Sequence, residues 1–80
     1  MSGYYVQYLD RARGEHGALP AVTRRGFDRA VADMARDPHA HGAAIRGDKD
    51  RRSACLAGVI TEYEISRDVL VVTMLKLVSI

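Results

Sequence analysis

From Pro20 to Arg36 apolar residues recur at helical spacing. Val22, Phe27, Ala30, Val31 and Met34 form one stripe, and Arg24, Arg25, Asp28, Arg29 and Asp33 take the rest of the circumference. Pro20 suits the first helical position, and Pro38 disfavours helical geometry at Asp37 and so closes the segment. Gly26 sits inside this helix at a cost of about 1 kcal/mol relative to alanine, which a close approach to a sheet would explain. Tyr4 to Leu9 is aromatic and β-branched and reads as a strand, with Tyr4, Val6 and Tyr8 on one face. Between these elements, Asp10 to Gly17 reads as a broken helical turn, because Gly14 and Gly17 weaken it.

After the helix, His39 to Asp50 carries turn residues and no sustained period, and reads as a loop. Three strands follow over Arg52–Ala57, Val59–Ser66 and Val69–Leu77, joined at Gly58 and at Arg67-Asp68. The order is β-α-α-β-β-β, an α+β domain with a small antiparallel sheet and helices packed on one face.

The strand faces differ. Val59, Thr61, Tyr63 and Ile65 alternate with Ile60, Glu62, Glu64 and Ser66, the pattern of a half-buried strand. In the last strand Val69, Val71, Leu75 and Leu77 share one face, and Leu70, Val72, Met74, Val78 and Ile80 the other. Both faces then want cover, supplied either by an obligate partner or second copy, or by the loops and the Pro20 helix.

Eighty residues make one domain, 1–80. A hydrophobic content of 48% with 28% charge fits a globular fold and not a disordered one. The formal charge of +2 is too small to identify a nucleic-acid-binding protein. Cys55, the only cysteine, rules out an intramolecular disulfide, points to a reducing cytoplasm and reads as a small core residue. The Met1-Ser2-Gly3-Tyr4 start lacks the features of a signal peptide. The most apolar run, Val69 to Ile80, is too short to span a bilayer, so a cytoplasmic protein without membrane association is expected.

Three constellations bear on chemistry. His39 and His41 have the spacing of two metal ligands but lack the third and fourth that zinc requires, so no metal is expected. Glu62 and Glu64 lie two apart on one strand face, where carboxylates can divide acid and base roles or simply be solvated. Arg46-Gly47-Asp48-Lys49-Asp50-Arg51-Arg52 is the densest basic stretch, able to contact phosphates or to form a salt-bridged loop. No nucleotide-binding loop, nucleophile elbow or paired-cysteine motif is present, and no cofactor is implied.

Taken in order, the first strand, the helix ending at Asp37-Pro38, the Gly42 loop, Arg46-Gly47, the Asp50-Arg51-Arg52 strand entry, the Gly58–Tyr63 segment and the Val-rich last strand resemble the RelE/ParE superfamily of bacterial toxins. For its ribosome-dependent RNases the resemblance implies a four-stranded sheet with helices on one face, a basic opposite face and an antitoxin wrapped outside. It matches the family's basic residues at the entry to the second strand to Arg51 or Arg52, which would stabilise phosphate charge during attack by the RNA's own 2′-hydroxyl, and an active nuclease would use Arg51 and Arg52 with Arg46 and Lys49 for RNA binding. The family's Gly-Tyr-Arg arginine falls at Ile60 and its tyrosine at Val59, while its C-terminal Arg and Tyr fall at or beyond Ile80. Ile60, Glu62 and Glu64 stand where cations would be, and carboxylates repel RNA. The resemblance therefore implies a toxin-fold protein of a type II toxin-antitoxin system that inhibits growth by binding a protein, with the apolar faces of the last strand or the Pro20 to Arg36 helix as the contact surface. Its partner is an antitoxin or a second copy. Two other readings stand beside it: a metal-independent, ribosome-dependent mRNA endoribonuclease, and a noncatalytic homodimeric module.

Overall fold

In the computed structural model, which describes residues 3–79, the chain runs β1 (Tyr5–Tyr8), α1 (Asp10–Gly17), α2 (Ala21–Met34), a 3-10 turn (Pro38–Ala40), β2 (Ala43–Ile45), β3 (Asp48–Leu56), β4 (Val59–Ser66) and β5 (Val71–Ser79). The strands form one five-stranded sheet in the order β1-β5-β4-β3-β2. Strands β2 to β5 are antiparallel neighbours, whereas β1 pairs parallel with β5. The sheet is therefore mixed, not purely antiparallel, and has one strand more than expected. A parallel neighbour needs a long crossover, and the two helices lie in it. Both helices cover the same face: Ala12, Phe27, Val31 and Met34 pack with Leu56, Val59, Tyr63, Ile65, Val72, Met74 and Leu77 in one core.

Helix α2 follows its apolar period, with Phe27, Val31 and Met34 buried, but Val22 at its start is 74% exposed. Gly26 has room for a methyl group, since an added Cβ would meet only Ala57 Cβ at 3.7 Å. The segment expected as a broken turn is a complete helix, α1. Tertiary contacts stabilise it against its glycines: Ala12 is fully buried, the His16 ring packs tilted against that of Tyr8 with centroids 5.2 Å apart, and the Glu15 carboxylate accepts the Leu77 N–H at 2.8 Å. That bond is the chief reason the Glu15 carboxyl is held below its usual range. Gly14 faces open space. Gly14→Ala is expected to stabilise the fold by about 0.5–1 kcal/mol, read as a rise of roughly 3–8 °C in Tm.

Two strand features depart from the sequence reading. The expected loop before Arg52 contains β2 and the first half of β3, joined by a two-residue hairpin turn at Arg46-Gly47 with φ of 54° and 80°. Ala57-Gly58 repeats this turn between β3 and β4 with φ of 52° and 82°. Left-handed turns of this kind favour Asn, Asp or Gly at their first position, so arginine there conceals the hairpin. In β5, Glu62 pairs with Lys76 while Tyr63 pairs with Met74, which leaves Leu75 as a bulge. The bulge shifts the alternation, so that Val72, Met74 and Leu77 all point into the core and Val71, Thr73, Lys76 and Val78 line the other face. The strand does not present two continuous apolar faces. It begins at Val71, since Leu70 has a φ of 54°, and Val69 and Leu70 are exposed turn residues. Cys55 is exposed rather than in the core. Ile80 lies outside the described residues.

Candidate functional site

The helix-free face of the sheet is built by alternation. Since Ala54 and Leu56 are buried opposite Thr61 and Val59, their neighbours Arg51, Ser53 and Cys55 point the other way, opposite Glu64, Glu62 and Ile60. Strand β5 adds Thr73 opposite Glu64, Lys76 opposite Glu62 and Val78 opposite Ile60. At the β1 edge, Gln7 donates a hydrogen bond to Thr73 Oγ1 at 2.9 Å. The face therefore carries opposite charges in register: Arg51 faces Glu64 and Glu62 faces Lys76. Among the described residues none of these four has an ion pair within 4.0 Å, so their charges remain available to a ligand.

Where β3 meets the β2–β3 hairpin this face opens into a cleft of about 320 Å³ lined by Ile45, Arg46, Asp48, Arg51 and Glu62. Two guanidinium groups and two carboxylates surround it, with one apolar side chain. The hairpin turn sets Arg46 on the lining of the same cleft as Arg51, five residues on.

The four basic residues singled out in the sequence are not brought together as a set. Arg46 and Arg51 line the cleft, and Lys49 is exposed on the hairpin outside it. Arg52 lies on the opposite, helix-covered side, next to the buried Tyr63. Its guanidinium donates to the carbonyls of His41 (2.8 Å), Lys49 (3.1 Å) and Gly42 (3.2 Å). The Tyr63 hydroxyl lies 2.9 Å from the Pro38 carbonyl and 3.1 Å from that of His41, and burial raises its pKa. Together these residues tie the turn after α2 to β3 and hold the hairpin that forms one wall of the cleft. The sequence pattern alone does not mark Tyr63 and Gly42 as site-forming residues. The signal that points to them is a buried tyrosine, whose hydroxyl needs a partner.

The histidines have separate settings. His39 Nε2 is 2.8 Å from Asp50 Oδ1, which also accepts from Arg67 Nε at 2.9 Å. Among the described residues no group of three or more His, Cys, Asp or Glu side chains is placed to hold a metal ion. The His39 hydrogen bond, and after it that of Arg67, hold the Asp50 carboxyl below its ordinary range. A lowered folded-state value means that this clamp contributes stability above the unfolded carboxyl's pKa, about 4, and loses it as pH falls through the folded value. Urea titrations across the acid range should therefore show a shallower acid limb for Asp50→Asn than for the wild type.

No helix of the described residues is long and apolar enough to cross a membrane. No family model and no curated protein sequence matches the chain. Solved structures do. The RelBE2 toxin-antitoxin complex of Mycobacterium tuberculosis contains a chain that superposes with a TM-score of 0.86 at 22% identity, over 99% of this chain and 100% of that one. The intact RelBE toxin-antitoxin complex of E. coli matches with a TM-score of 0.80 at 20% identity, covering 96% of each chain. The archaeal RelE-RelB complex of Pyrococcus horikoshii matches with a TM-score of 0.79 at 19% identity, over 98% of this chain and 96% of that one. The mixed sheet, the helices on one face and the cleft on the other are thus arranged on the fold of the RelE toxins.

Proposed function

We propose that the chain is a RelE-like toxin of a type II toxin-antitoxin pair, acting in the cytoplasm, restrained by an antitoxin protein and inhibiting growth when free. One observation carries this reading: the match to chains of toxin-antitoxin complexes runs over the whole of this chain, not over a fragment of it. The helix-free face supports action by binding a protein. Its Arg51-Glu64 and Glu62-Lys76 registers, beside the exposed Ile60 and Val78, suit a mixed protein surface better than a uniformly anionic one.

The cleft favours a second reading, a metal-independent mRNA endoribonuclease. Arg46 and Arg51 share the cleft with Glu62. In such a reaction Glu62 accepts the proton of an RNA 2′-hydroxyl as that oxygen attacks the adjacent phosphorus. The two guanidinium groups stabilise the added charge, and the 5′-oxygen departs with a proton from water, leaving a 2′,3′-cyclic phosphate. Arg52, turned to the other face, takes no part in it.

Induced expression of the chain in a bacterial host, followed by growth and pulse-labelled protein synthesis, tests both. Both readings expect growth arrest. Arg46→Ala with Arg51→Ala, soluble and folded, abolishes arrest and transcript cleavage under the nuclease reading. Arrest without transcript cleavage in the wild type supports action by protein binding. Normal growth with abundant folded protein contradicts both.

A further inference from the structure

Strand β1 leaves one edge of the sheet open. The N–H groups of Tyr5 and Leu9 donate to the Leu70 and Met74 carbonyls at 2.8 and 3.1 Å. By alternation, Val6 and Tyr8 turn their N–H and C=O groups to the other side, and among the described residues neither has a backbone partner there. This free window is closed at both ends. Before it, the Tyr4 N–H donates to the Ala35 carbonyl at 2.8 Å, and after it the chain enters α1 at Asp10.

Proteins blunt exposed edges with charges, prolines, bulges or very short strands. The opposite edge of this sheet follows that rule, since β2 is three residues long and shifts register between Ala44 and Ile45. Tyr5-Val6-Gln7-Tyr8-Leu9 carries no charge, no proline, no glycine and no bulge. Tyr5 is 70% exposed, and Leu9, still extended at φ −65° and ψ 156°, is 48% exposed. They flank Gln7 on the helix-free face, while Val6 and Tyr8 are half-buried on the helix side.

We infer that this edge pairs antiparallel with β1 of a second copy of the chain, about a two-fold axis at Gln7. The window allows a single register. Val6 opposite its own copy would need the Tyr4 N–H, which Ala35 holds, and Tyr8 opposite its own copy would need Asp10, which is helical. With Gln7 on the axis, Val6 and Tyr8 exchange both main-chain hydrogen bonds with Tyr8 and Val6 of the second copy. The same register sets Tyr5 against Leu9 of the second copy, and Leu9 against its Tyr5, so the exposed apolar side chains cover each other. Gln7, whose Nε2 donates to Thr73, has its carbonyl oxygen left for the amide of its copy. The sheet then runs unbroken through both molecules, and the two clefts stay open at its far ends. A short strand pair buries less than a standard interface, so the dimer forms at micromolar rather than nanomolar concentration. The inference does not depend on the toxin reading.

Sedimentation equilibrium of the full chain from about 1 to 200 μM tests it. The wild-type chain should pass from monomer to dimer across this range. Tyr5→Lys/Leu9→Lys, with an unchanged circular dichroism spectrum, should dimerise at least about tenfold more weakly, because the register sets lysine against lysine. Tyr5→Lys/Leu9→Glu should recover dimerisation, because lysine then meets glutamate. Gln7→Cys in a Cys55→Ser background should form a disulfide-linked dimer on oxidation, whereas Thr73→Cys in that background, one strand inward, should not. A wild-type chain still monomeric at about 200 μM overturns the inference. So do undiminished dimerisation of the double-lysine variant, no recovery in the lysine-glutamate variant, or equal cross-linking of the two cysteine variants.

Discussion

Gly42→Ala is expected to leave no stably folded protein at physiological temperature. Gly42 has a φ of +64°, and a Cβ built there would overlap the Ser53 carbonyl oxygen and come within 2.8 Å of Ala54 Cβ. The backbone has no freedom to retreat, since the Gly42 carbonyl accepts from Arg52 and the next residue, Ala43, pairs with Ser53 in the sheet. Left-handed geometry alone costs a non-glycine residue about 1–2 kcal/mol, and relieving the overlap requires separating β2 from β3. A domain of this size has roughly 4–12 kcal/mol of stability in all. A loss of about 4 kcal/mol from the left-handed strain and the parted strands together removes all of it at the lower end, where a small core places this chain. Gly47→Ala is the matched control. Gly47 has a φ of +80° but nothing within 4 Å of an added Cβ, so it should lose only about 1–2 kcal/mol. Urea denaturation followed by circular dichroism separates the two: Gly47→Ala should unfold in a cooperative transition and Gly42→Ala should show none. A Gly42→Ala transition with the midpoint of Gly47→Ala would remove the steric argument.

Arg52→Ala should destabilise the fold by about 2–4 kcal/mol, a fall of roughly 10–25 °C in Tm, by withdrawing the donor from three carbonyls at a partly buried site. Arg52→Lys should recover little of this, because a single ammonium cannot reproduce a planar fork that reaches His41, Gly42 and Lys49 together. Arg51→Ala, one residue away on the open face, should leave Tm within about 0.5 kcal/mol equivalent. This contrast separates support of the cleft from action within it: loss of growth inhibition in Arg52→Ala should track loss of folded protein, whereas loss in Arg51→Ala should not. A thermal melt of Arg52→Ala that overlays the wild type would show that the three bonds stabilise nothing.

The parts of the fold legible in the sequence are those whose pattern is undisturbed. Phe27, Val31 and Met34 keep helical period through α2, and β4 alternates without interruption from Val59 to Ser66. The elements that the sequence conceals have local causes. Leu75 bulges from β5, so an apolar run that looks two-faced is in fact one-faced on either side of the bulge. Arg46 occupies a hairpin position usually held by Asn, Asp or Gly, which hid β2 and the start of β3. The late strand start in turn hid the separation of Arg51 from Arg52. Once β3 begins at Asp48, adjacent residues must point to opposite faces, and the two arginines cannot act on the same group. Of the site, Arg46, Arg51 and Glu62 are legible as charged residues of the right kind. Their convergence is not, because it depends on the hairpin.

Growth of a bacterial host after induction of the wild-type chain, compared with the unfolded Gly42→Ala chain at equal synthesis, tests the central claim most directly. The account predicts prompt arrest with the wild type and growth unchanged from the uninduced culture with the variant. Undisturbed growth while the wild-type chain accumulates folded would contradict it.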